Sequence, residues 1–236
     1  MTDASSSPRA PSKLLWAAEL PRAFWTVLSW PFHRKALARA PRGDGRPVII
    51  LPGLLNGDRS NFVMRRFLSR LGYEAHGWDL GRNFGARTVG AEAERLIARI
   101  ETLAVAKGPV TLIGVSLGGL IARLAAHRRP DLVREVITVS SPFAGPGKAT
   151  NVWRTFELVT GEQLDDPAVV ARSAAIALPL PMPTTAIWSR SDGLVAGINC
   201  RDSHGRAIEI RSSHLGVQIR PDVLLAIARV LAGRGD

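Results

Sequence analysis

The chain has 236 residues, 46% of them hydrophobic, and a formal net charge of +11. That length suits one α/β domain with a sizeable core and leaves no room for a second full domain. Its one cysteine, Cys200, excludes an internal disulfide and any multi-cysteine metal site, and reads as a small buried hydrophobe. The positive charge is almost wholly arginine and is spread along the chain, with no basic run interleaved with aromatics, so nucleic acid is not an expected partner.

Residues 1–12 are rich in serine, proline and alanine and read as a tail. Residues 13–37 form an aromatic-rich arm with three of the six tryptophans, closed by His33, Arg34 and Lys35. The arm is expected to cover the outside of the domain, with peripheral contact to a membrane interface as the alternative. No apolar run approaches the roughly 18 residues a membrane span needs. No export signal is read, which makes the expected location cytoplasmic.

From residue 46 to 236 strands alternate with helices, the pattern of a mostly parallel sheet of about six strands with helices on both faces. Expected strands are 48–51, 73–80, 110–115, 135–140, 184–188 and 207–210. Expected helices are 61–71, ended by Gly72, then 88–107, 117–129 and 221–231. Residues 143–183 break the alternation with two short helical pieces, 152–159 and 167–178, and are expected to form a small cap.

The stretch Gly114-Val115-Ser116-Leu117-Gly118-Gly119 stands between a β-rich run and a helical one. A serine there sits on a tight strand-to-helix turn that holds its hydroxyl out of the sheet. To act as a nucleophile it needs a base, and the base needs a carboxylate to fix its tautomer. Asp192 follows the strand ending at Trp188 and His214 follows the strand ending near Ile210, each in a loop. Rival histidines are His33 in the arm, His76 within a strand, His127 three turns along the helix that starts at Ser116, and His204 before the last strand. Rival acids are Asp202, Asp131, Asp165 and Asp166. The backbone N–H groups of Leu117 and Leu54 are the expected oxyanion donors. Leu55, Phe143 and Val195 are the expected acyl pocket.

Pro52-Gly53-Leu54, the elbow from Gly114 to Gly118, Asp192-Gly193 and Ser213-His214-Leu215-Gly216 together resemble the α/β-hydrolase superfamily, and within it compact bacterial esterases and lipases. The similarity runs from about Val48 to Leu231. It implies a serine hydrolase that cleaves small-molecule or lipid carboxylic esters through an acyl-enzyme, with neither cofactor nor metal. Two features depart from the family. Many lipases carry a histidine where this chain has Pro52, and the first two strands of the full family sheet are not evident. An acyltransferase on the same triad and a non-catalytic membrane-associated binding protein are the competing readings. Substrate, acyl chain length and oligomeric state are not legible.

Overall fold

The computed structural model describes residues 9–233. Three short helices come first, α1 (Lys13–Ala17), α2 (Glu19–Leu28) and α3 (Trp30–Ala38), so the arm is broken at Ala18 and Ser29. The domain proper runs β1 (Pro47–Leu51), α4 (Phe62–Leu71), β2 (Glu74–Gly77), α5 (Ala86–Val89), α6 (Glu94–Lys107), β3 (Val110–Val115), α7 (Leu117–Arg128) and β4 (Val133–Val139). It continues with α8 (Trp153–Thr160), α9 (Pro167–Ala177), β5 (Thr184–Trp188), β6 (Arg206–Glu209) and α10 (Pro221–Leu231).

The six strands form one sheet in the order β2-β1-β3-β4-β5-β6, with every pairing parallel. Parallel strands need crossovers, and the helices that supply them bury the sheet on both faces. Because successive strand side chains point to opposite faces, Val48 and Ile50 of β1 join one core with Leu68 of α4 and Ile227 of α10. Ile49 and Leu51 join the other, with Ile100 of α6 and Ala125 of α7. Each fully buried aliphatic side chain of this kind contributes about 1.5–3 kcal/mol. After β1 the chain goes outward to β2 and returns on the other side of β1 as β3. The loops after β1 and β3 therefore flank a crevice at the carboxyl ends of two neighbouring strands, where α/β sheets place their sites.

The sequence pattern differs from the structure in two places. The second strand is shorter than expected: it ends at Gly77, because Asp58 turns in to accept the N–H groups of Trp78 and Asp79, at 3.0 and 3.1 Å. The long helix expected at 88–107 is two helices, separated where Gly90 (φ 89°) and Ala93 (φ 61°) adopt positive φ. The arm, to which the sequence pattern assigned no secondary structure, is three helices packed on the domain, with the Trp30 indole N–H donating to the Ile219 carbonyl at 3.0 Å. The insertion between β4 and β5 carries α8 and α9, two short helices over the carboxyl end of the sheet, and Ile176 of α9 packs into the core that α7 shares.

Candidate active site

Ser116 is the residue between β3 and α7, and its backbone sits at φ 51°, ψ −122°, a conformation that costs a non-glycine residue about 1–3 kcal/mol. The turn is held by the Ser116 N–H donating to the Val139 carbonyl at 2.8 Å and the Gly119 N–H donating to the Ser116 carbonyl at 2.9 Å. It is also sterically closed. A Cβ on Gly114 would lie 2.3 Å from the Gly119 Cα, and one on Gly118 would lie 2.5 Å from the Leu51 carbonyl oxygen. The glycines around the serine are therefore set by how closely helix α7 approaches β1 and β3.

Asp192 and His214 reach Ser116 from loops after β5 and β6. The His214 Nε2 lies 3.0 Å from the Ser116 Oγ, and its Nδ1 lies 2.7 Å from the Asp192 Oδ2. Asp192 is 1% exposed, and its other oxygen accepts the N–H groups of Leu194 and Val195 at 2.9 and 3.0 Å. An acid so placed can only accept, so the His214 Nδ1 donates to it and Nε2 is left to accept the serine proton. Burial disfavours a charged His214, but the bonded Asp192 carboxylate, with the Glu19 carboxylate behind it, outweighs burial and raises the imidazole pKa above that of an ordinary histidine. His214 thus needs a higher pH to become a free base than an ordinary histidine.

Asp202, His33, His76 and His204 are engaged elsewhere. Asp202 accepts the His204 and Gly205 N–H groups at 2.9 and 3.0 Å and the Thr184 hydroxyl at 2.9 Å, and pairs with Arg123 at 3.2 Å. Arg123 also donates to the carbonyls of Ile176 and Leu178, at 2.8 and 2.6 Å, and stacks 4.0 Å above the Phe143 ring. That buried network ties helix α7 to the end of the cap. His204 bonds the neighbouring Ser203, and His33 the Ser29 carbonyl, at 3.0 and 2.9 Å. His76 faces Glu74 at 3.4 Å. Cys200 is buried in a small cluster with Trp188 and Val195, and burial pushes its thiol pKa up.

Ser116, Leu117, Leu54, Phe143 and Val195 all line one cavity of about 150 Å³ between the sheet and the cap. The rest of its wall is mostly apolar, drawn from α5, α7, α8 and α9, with Trp153 and Phe156 as its largest members. The backbone N–H groups of Leu54 and Leu117 have no acceptor among the described residues. Leu55, expected in the acyl pocket, is instead 43% exposed and does not line the cavity. Its φ of 63°, with its N–H donating to the Asn83 carbonyl at 2.8 Å, turns the side chain outward just beyond Leu54.

Sequence reasoning missed Glu19. This arm residue is 2% exposed, and its Oε1 accepts the N–H of Gly193 at 2.7 Å and of His214 at 3.0 Å, while Oε2 accepts the N–H of Leu215 at 2.8 Å. One carboxylate therefore joins the acid loop to the histidine loop. Arg22, one helical turn on, donates to the Ser191 carbonyl at 2.6 Å and the Ser191 hydroxyl at 2.8 Å. The arm comes so close that a Cβ on Gly193 would lie 2.4 Å from the Leu15 carbonyl oxygen. A signal existed: Glu19 is the sole acid from Arg9 to Ala40, set in a basic and apolar stretch.

Residues 46–157 match the family described as alpha/beta hydrolase fold. Among solved structures, the mature lipase of Bacillus licheniformis superposes with a TM-score of 0.58 at 16% identity, over 82% of this chain and 94% of that one. The chain has the α/β-hydrolase fold. The same fold relates it to the monoacylglycerol lipase of Paleococcus ferrophilus, with a TM-score of 0.56 at 15% identity over 80% of this chain and 96% of that one. A curated relative, the pimeloyl-[acyl-carrier protein] methyl ester esterase of Aliivibrio salmonicida, is 34% identical over 101 residues, 42% of this chain and 37% of that protein. The match spans little more than a third of that relative's length. Within the α/β-hydrolase fold Ser116, Asp192 and His214 occupy the three strand-end loops from which the sheet can bring side chains to one point.

Proposed function

We propose that the protein hydrolyses carboxylic esters with an apolar acyl group, using Ser116 as nucleophile, His214 as general base and acid, and Asp192 to orient His214. The observation that carries this reading is the unbroken hydrogen-bond chain from the Asp192 Oδ2 through the His214 ring to the Ser116 Oγ, on the wall of an apolar cavity. The Ser116 oxygen attacks the ester carbonyl as its proton passes to the His214 Nε2. The free N–H groups of Leu54 and Leu117 receive the developing oxyanion, each lowering the barrier by about 3 kcal/mol. The tetrahedral intermediate then collapses, the carbon–oxygen bond to the alcohol breaks, and His214 protonates the leaving alkoxide. Water, deprotonated by His214, attacks the acyl-serine and releases the acid. Asp192 and the buried loops around it keep the imidazole aimed throughout.

The esterase and lipase names among the similar proteins agree with an ester substrate, and the cavity's aliphatic and aromatic wall favours an acyl chain over a polar acid. A panel of p-nitrophenyl esters from acetyl to dodecanoyl tests this. Between the shortest chains kcat/KM is expected to rise by up to about fourfold per added methylene while the cavity fills. Absence of turnover on every ester, or a preference for acetyl alone, contradicts the reading.

A further inference from the structure

Helix α2 is inside out. Its buried residues are Glu19 and Thr26, while Leu20, Phe24, Trp25, Val27 and Leu28 are exposed, Leu20 at 72% and Phe24 at 66%. Positions 20, 24, 27 and 28 share one helical stripe and 19 and 26 lie opposite, so the apolar face is complete and, among the described residues, is left largely uncovered. Leu14 and Trp16 of α1 and Phe32 of α3 add to that surface, with Phe32 83% exposed. Single exposed apolar residues are ordinary, but a cluster rich in tryptophan and phenylalanine marks a surface that meets another apolar phase.

Charge identifies the phase. From Arg9 to Ala40 the exposed charges are all positive, Arg9, Lys13, Arg34, Lys35 and Arg39, because the sole acid is the buried Glu19. Val27 also borders a groove of about 760 Å³ between the arm and α4, where Arg34, Arg42, Arg66 and Arg70 surround Trp30 and Phe67. Aromatic side chains interleaved with cations fit the interface of a bilayer with anionic headgroups. A second copy of this chain would set those cations against their own kind. No helix among the described residues is long and apolar enough to cross a membrane, so contact would be peripheral.

We propose that the outward face of α1–α3, with the adjoining arginine groove of α4, is a docking surface for an anionic phospholipid bilayer. Its other side holds the loops of Asp192 and His214, which places them about one helix diameter, 10–12 Å, from the lipid.

The test is flotation of the full chain with vesicles of phosphatidylcholine alone and of equal parts phosphatidylcholine and phosphatidylglycerol. Flotation needs no turnover, so its outcome is separate from that of the ester panel. The expected result is flotation with the anionic vesicles only. Phe24→Ser with Trp25→Ser lowers partitioning at least about tenfold at unchanged helix content, since both side chains face solvent. Arg66→Gln and Arg70→Gln lower it by about fivefold each. Failure of the native chain to float with anionic vesicles overturns the proposal. So does equal flotation of the Phe24→Ser, Trp25→Ser protein, which would leave only bulk charge attraction. A dimer in sedimentation that those two substitutions dissolve, without vesicle binding, would assign the surface to a second copy instead.

Discussion

Helices α10 and α2 are of similar length and lie on the same domain, but they are attached by opposite means. Helix α10 buries Val223, Leu224, Ile227 and Leu231 against the sheet and turns Asp222 and Arg229 outward. Helix α2 turns its leucines and aromatics outward and is fastened by Glu19 and Arg22 to the backbone of the loops that carry Asp192 and His214. The first arrangement supplies fold stability through apolar area. The second supplies little area and fixes two loops relative to each other, so its effect should appear in turnover more than in melting temperature.

The comparison can be broken at several points. Asp192→Asn keeps the shape of the loop that Glu19 holds but reverses the hydrogen-bond preference toward His214; kcat should fall about 10⁴-fold with the fold intact, measured by ester hydrolysis alongside circular dichroism. Ile227→Ala in α10 should lower unfolding free energy by about 2–5 kcal/mol in urea titration, with kcat of the folded protein nearly unchanged. Glu19→Ala should do the converse. Three backbone donors lose their acceptor, the two loops shift, and kcat should fall about 100-fold with a smaller change in KM. A protein in which Glu19→Ala melts early but turns over normally would show that α2 is held as α10 is.

The pH profile sharpens the same point. Because Asp192 and Glu19 hold the His214 pKa above that of an ordinary histidine, the free base, and with it kcat/KM, should appear at higher pH than an unperturbed imidazole would allow. Glu19→Gln removes one of the two charges, so its acid limb should move to lower pH even though its plateau is reduced. A purely structural Glu19 would leave the limb in place. The smallest effect belongs to the outward face: Leu20→Ala should change unfolding free energy by less than about 0.5 kcal/mol, where the buried Ile227 costs several times more.

How much of this was legible in the sequence depended on where the physical signal lay. The strands were legible because side chains buried on both faces give short continuous apolar runs such as Val48 to Leu51, and their alternation with helices implies a parallel sheet. Ser116, Asp192 and His214 could be singled out because a strained turn and two strand-end loops each leave a local pattern of glycines. The break between α5 and α6 was hidden, since Ala93 at positive φ looks helical in composition. Leu55 falls outside the expected pocket because one turn decides which of two adjacent leucines faces inward. Glu19 left no pairwise trace. Its partners are backbone N–H groups 174 to 196 residues away, and backbone donors carry no side-chain signature.

The central claim is that Ser116 is a nucleophile activated by His214. Intact-mass analysis after treatment with a fluorophosphonate reads this directly, because phosphonylation requires an activated serine and no knowledge of substrate. The account predicts a single adduct on the native protein and none on Ser116→Ala. An adduct that persists on Ser116→Ala, or a well-folded native protein that takes none, would contradict it.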